Sequence, residues 1–104
     1  MELTVYWTEF AEDKLEDVFS YYSEKASTGF AQQLVEELIG RSLELEINPL
    51  IGQKEILLAD RLQDFRYLVY KNYKIIYWVN IKRHRIEIVN LFDCRQNPQK
   101  MNEI

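Results

Sequence analysis

Between residues 66 and 98 the chain passes through three apolar, aromatic-rich segments whose connections are too short for anything but hairpins. Residues 65–70, 73–80 and 86–92 are dense in Tyr, Ile, Val, Trp and Phe, the side chains that fit a pleated, half-buried surface. Only Lys71-Asn72 separates the first two, and Lys82-Arg83-His84-Arg85 leads into the third. A two-residue connection demands a left-handed backbone, which Asn72 is expected to supply. Three strands joined this way form an antiparallel meander. Residues 73–79 are apolar on both sides: Tyr73, Ile75, Tyr77 and Val79 alternate with Lys74, Ile76 and Trp78. Such a sheet needs cover on both faces.

The first half supplies one cover. Residues 3–7 (Leu-Thr-Val-Tyr-Trp) read as a first strand, and Thr8 as an N-cap with Glu9, Glu12 and Asp13 where the helix dipole favours negative charge. Ala11, Leu15, Val18, Tyr22 and Ala26 recur at helical spacing, and after Ser27-Thr28-Gly29 a second stripe runs through Ala31, Val35, Leu38, Ser42 and Leu45. The second helix is expected to end before Asn48-Pro49, because the residue before proline is steered away from the α region. The short break makes an αα-hairpin. Residues 54–58 read as another strand, 59–64 as a polar connector, and 96–104 as a polar tail, mobile unless something pins it. The expected fold is α+β: a two-helix hairpin on one face of a four- to five-stranded, mainly antiparallel sheet, in the order β-α-α-β-β-β. At 104 residues it is read as one domain, 1–104. The place of the first strand in the sheet stays open. The second face is left for the tail, a second copy or another protein to cover.

Most catalytic templates find no match. The chain has no Gly-rich phosphate loop, His-Glu-x-x-His, Cys-x-x-Cys or Gly-x-Ser-x-Gly. One His and one Cys make a metal site unexpected, and no cofactor is implied. His84 reads as a turn residue and Cys94 as a small buried apolar one. A lone cysteine, no signal-peptide pattern and no apolar run near the ~18 residues of a membrane helix make the cytoplasm the expected location and a membrane no partner.

The formal net charge of −4 hides a division. Residues 1–52 carry three basic and eleven acidic side chains, net −8; residues 53–104 carry ten and six, net +4. A basic surface can meet an acidic partner, or the two halves can attract each other on folding. Within the basic half, Lys54, Arg66 and Arg95 fall at strand starts and ends. Two guanidiniums brought together there would grip phosphates or carboxylates. The alternative is that each pairs with a neighbouring acid, Asp64 or Asp93.

Taken together, Arg66 opening a strand, the Tyr73-x-Ile75-x-Tyr77 strand, the final apolar strand and the Arg95-Gln96-Asn97-Pro98 exit resemble the ParE branch of the RelE/ParE toxins of bacterial toxin–antitoxin systems. The resemblance spans nearly the whole chain. It implies a type II toxin that inhibits DNA gyrase and is neutralised by a cognate antitoxin protein. Carried over by position, Arg66 and Arg95 match the recurring arginines and Tyr77 the central-strand tyrosine. The surface expected to bind target or antitoxin thus comprises Lys54, Arg66, Tyr77, Trp78 and Arg95, with Trp78 outward; no catalytic residue is assigned. The alternatives are a RelE-like interferase cleaving mRNA on the ribosome, and a degenerate, non-toxic binding module. Against the interferase stand Asp93, where many relatives have His, the lack of a Tyr or His after Arg95 to move a proton, and a pI near 5.0. The assembly stays open between a homodimer and a toxin–antitoxin hetero-oligomer.

Overall fold

The structure is a computed structural model and describes residues 2–103; Met1 and Ile104, the ends of the expected domain and tail, lie outside the described residues. Strand β1 (Thr4–Trp7) leads into helices α1 (Glu9–Lys25) and α2 (Thr28–Leu43), followed by β2 (Gln53–Lys54), β3 (Arg66–Tyr70), β4 (Tyr73–Asn80) and β5 (Arg85–Asp93). Short 3-10 segments lie at Glu44–Glu46, Ile56–Leu58, Ile81–Arg83 and Pro98–Glu103. Each long helix starts at a hydroxyl cap: Thr8 Oγ1 accepts from the Ala11 N–H at 3.3 Å, and Ser27 Oγ from the Phe30 N–H at 3.0 Å. Ser27 therefore ends the break between the helices, and Thr28 and Gly29 already belong to α2.

The sheet order is β1-β5-β4-β3-β2. β3, β4 and β5 form the expected antiparallel meander, and β2 adds antiparallel to β3. β1 lies parallel to β5, with Val5 opposite Ile86 and Trp7 opposite Ile88. Five strands under two helices make the α+β fold that the sequence implies.

The helix side holds the main core: Ala11, Leu15 and Val18 of α1 and Leu34 and Leu38 of α2 pack on Leu68, Ile75, Tyr77, Ile86, Ile88 and Leu91. Ser42, on the apolar stripe of α2, is buried but satisfied; its hydroxyl donates to Ile39 O and accepts from Trp7 Nε1. A bulge keeps this core continuous. Ile76 faces Asn90 but Tyr77 faces Ile88, so β5 carries one extra residue, Val89. That shift lets Ile86, Ile88 and Leu91 all reach the helices although their spacing is not strictly alternate.

The opposite face has its own cluster of Leu58, Phe65, Ile76, Phe92 and Met101, with Tyr67, Trp78 and Val89 at its margin. The tail thus supplies part of the cover that the sheet requires: Met101 is 1% exposed. Arg61 Nη2 donates to Asn102 O at 3.0 Å and ties the tail to the connector.

Three local expectations need correction. Of the expected 54–58 segment only Lys54 lies in a strand, which begins at Gln53. The Glu55 carboxylate turns back to accept from the Leu57 N–H at 3.2 Å, which starts a 3-10 turn and puts Leu58 into the second core. In the β3–β4 hairpin the left-handed residue is Lys71, φ 54°, not Asn72. Asn72 instead donates its side-chain amide to Asp93 Oδ1 at 3.1 Å. Cys94 is exposed, not buried.

Candidate functional site

The strand register separates the two arginines. Arg66 lies opposite Tyr77, four residues along β4 from Tyr73, and Tyr73 in turn faces Asp93. Arg66, at the start of β3, and Arg95, just past the end of β5, therefore stand at opposite ends of the sheet and form no shared guanidinium site. Each has taken the local acid. Arg66 lies 3.5 Å from Asp64, and Arg95 makes a bidentate pair with Asp93 through Nε (3.0 Å) and Nη2 (2.7 Å).

At the Arg66 end, side chains hold a loop in place. The Tyr77 hydroxyl donates to Pro49 O at 2.8 Å and accepts from the Gly52 N–H at 3.0 Å. Arg66 Nη1 donates to Gly52 O at 2.9 Å. The approach is close enough to need glycine, since a Cβ at Gly52 would fall 2.6 Å from the Tyr77 hydroxyl and 2.8 Å from Tyr67 O. Tyr77 is 0% exposed, and burial raises its hydroxyl pKa. It cannot touch a partner here, so the expectation that it belongs to a binding surface fails, because its hydroxyl is needed to satisfy buried backbone groups. Arg66 is mostly buried and performs the same task. Lys54, by contrast, is exposed at 69%, with only a loose 3.8 Å approach to Asp64.

At the other end Asp93 accepts from the Arg95 side chain, the Arg95 N–H and Asn72. The Arg95 hydrogen bond chiefly lowers the Asp93 pKa to about 2, and the same bond raises that of Arg95. Beside them burial, reinforced by the Tyr22 hydroxyl, raises the Tyr73 pKa. Partial desolvation does the same for the Cys94 thiol, which weakens it as a nucleophile. Trp78 is half-buried on the sheet face away from the helices, as its alternation with Tyr77 requires.

One cluster was missed from the sequence. Glu55 is buried and pairs with Lys74 at 2.9 Å, and the Lys74 ammonium sits 4.2 Å from the centre of the Tyr67 ring. Lys74 could have been noticed as the one charge inside an apolar strand. Nothing in the sequence marks Glu55, because its burial depends on the tail and connector closing over that face. Among the described residues no group of His, Cys, Asp or Glu could hold a metal ion, and no helix is long and apolar enough to cross a membrane.

A helical hairpin on a sheet ordered β1-β5-β4-β3-β2, with polar clamps at both sheet ends, defines a small open-sheet α+β domain. The chain superimposes on one in a structure described as "Chromosomal ParDE TA system from P. aeruginosa" with a TM-score of 0.73 and 15% identity, covering 88% of this chain and 96% of that chain. The family model "ParE toxin of type II toxin-antitoxin system, parDE" matches residues 5–98, and the chain belongs to the ParE toxin family. It is a type II toxin. No curated protein matches it.

Proposed function

We propose that the chain poisons DNA gyrase in the cytoplasm and is silenced by a cognate antitoxin bound to its sheet side. The family match over residues 5–98 carries this reading. The commitment of Arg66 and Arg95 to Asp64 and Asp93 supports gyrase over mRNA as the target. An RNase rim must offer unmatched cations to the phosphate backbone, and these two guanidiniums already face carboxylates. The antitoxin meets Lys54, Trp78 and the outer edge of Arg95 with carboxylates and an apolar anchor, while Arg66 acts behind that surface by holding residues 49–52. A disordered antitoxin tail that orders on contact suits a surface spread over the whole sheet.

The test is induced expression together with a supercoiling assay on purified gyrase. The expected result is filamentous arrest, DNA-damage signalling, intact bulk mRNA and loss of supercoiling. Prompt mRNA cleavage on ribosomes would transfer the reading to an interferase. Well-expressed protein without effect on growth or gyrase would mark a non-toxic binding module. Trp78→Ser should weaken the antitoxin complex while leaving the fold intact.

A further inference from the structure

The turn between β4 and β5 holds charge that the fold leaves unmatched. Ile81, Lys82, Arg83 and His84 are all exposed, and no ion pair among the described residues engages Lys82 or Arg83. Its backbone is nonetheless fixed. The Arg83 N–H donates to Asn80 Oδ1 at 3.3 Å, the His84 N–H to Ile81 O at 3.1 Å, and His84 takes the left-handed conformation, φ 53°. The His84 carbonyl accepts from the Thr4 N–H at 3.2 Å, which ties the turn to β1. The acids at this end of the sheet are placed elsewhere. Glu46 accepts from the Val5 N–H on the outer edge of β1, Asp64 faces Lys54 and Arg66, and the exposed Glu2 makes no ion pair with the turn.

Beside the turn, the strand register lines up an aromatic row on the sheet face away from the helices. Tyr6 of β1 lies opposite Glu87 of β5, and Glu87 opposite Trp78 of β4. The two rings thus stand two strand spacings apart, about 10 Å. Tyr6 is 43% exposed and Trp78 half-buried. The Arg85 guanidinium lies 3.9 Å from the centre of the Tyr6 ring, so charge and ring form one stacked unit. On the floor between the rings, Glu87 Oε2 accepts from Asn80 at 2.6 Å and lies 3.4 Å from Arg85, which leaves Oε1 as an unused acceptor. We propose that this row and turn bind single-stranded DNA: bases stack on Tyr6–Arg85 and on Trp78, a base amino group donates to Glu87 Oε1, and Lys82 and Arg83 hold two phosphates. Rings and guanidiniums offer flat faces to unpaired bases, and unmatched cations follow the backbone. An acidic peptide fits less well, because a carboxylate lies between the rings. The choice of DNA over RNA rests on the gyrase reading.

The probe is a labelled twelve-nucleotide oligodeoxycytidine, titrated into the purified protein at about 50 mM salt. The expected Kd is roughly 10–100 µM, weak because the whole chain carries −4, with a log–log salt slope of about −1.4, that of two phosphate contacts on a single strand. Amide shifts in the ¹⁵N-labelled protein should centre on residues 81–87. The Trp78 indole N–H should move, while that of Trp7, bonded to Ser42, stays in place. Lys82→Glu combined with Arg83→Glu, both exposed, should weaken binding about tenfold or more and abolish the slope without shifting Tm. Tyr6→Ala should cost about fivefold or more, the low end for a stacked base. Oligothymidine, whose base lacks an amino group, should bind more weakly than oligodeoxycytidine. Equal binding of oligothymidine or of hexaglutamate, shifts centred on Lys54, Lys71 or Arg95, or an unchanged slope in the double variant would overturn the proposal. Tighter binding of oligocytidine RNA would overturn the choice of DNA. Gyrase is absent from this titration, so a protein that binds the DNA as expected yet leaves supercoiling intact would fault the gyrase reading alone.

Discussion

At the scale of single residues, buried hydroxyls and matched charges set the behaviour of this toxin. The Tyr77 ring fills the main core while its hydroxyl serves both Pro49 O and the Gly52 N–H. Tyr77→Phe keeps the ring and leaves those two groups without a partner, which should cost about 1–3 kcal/mol in urea unfolding. An unchanged midpoint would show that residues 49–52 find water or another side chain instead. Arg66→Ala should likewise destabilise, because its guanidinium holds Gly52 O. Asp93 gives a pH signature. Its folded pKa of about 2 lies below the ordinary value of 3.8, so its contribution is present above pH 4 and is lost as pH falls toward 2. Solvent screening limits that contribution to about 1 kcal/mol. Asp93→Asn should therefore lower stability at pH 7 and flatten the decline between about pH 4 and 2. Parallel decline in both proteins would assign the acid transition to other carboxylates.

At the scale of elements, the C-terminal segment departs most from its composition. Residues 96–104 are mostly polar, yet Met101 sits with Leu58, Phe65, Ile76 and Phe92 and closes the second core. Met101→Ala should cost about 2–5 kcal/mol, the range for truncating a fully buried methionine. A cost near zero would mean that the segment is mobile in solution. The connector changes character for a related reason. A strand through residues 54–58 would leave Lys74 unmatched beneath it. The 3-10 turn instead brings the Glu55 carboxylate to Lys74 and turns Leu58 inward. The helices behave as their sequence implies, because caps and apolar spacing are local signals. Removing the hydroxyl by Thr8→Ala should cost about 1 kcal/mol.

At the scale of the whole molecule, the division between an acidic and a basic half survives folding. Of the ion pairs among the described residues, only Lys71 with Glu37 joins a base of the second half to an acid of the first. The basic side chains of the sheet pair instead with Asp64, Glu55, Glu87 and Asp93 of their own half. The first-half acids remain crowded on the helical hairpin. Raising NaCl from about 50 mM to about 0.5 M, which shortens the screening length severalfold, should therefore raise the urea midpoint slightly by relieving that repulsion. A fall would mean that attraction between the halves stabilises the fold.

The sequence by itself determined the meander, the helical hairpin and the Thr8 cap, since each rests on periodicity, turn length or residues close in the chain, and its motifs carried the resemblance to the ParE toxins. It also named the acids, Asp64 and Asp93, that match the two arginines, because those partners stand only two positions away. Tertiary structure decided the rest. The parallel placement of β1 beside β5, the burial of Tyr77 and Glu55 and the anchoring of Met101 all depend on segments distant in sequence meeting across the sheet. Alternation shows that a strand has two faces. Which face is covered, how far, and by what depends on where the rest of the chain runs after its turns.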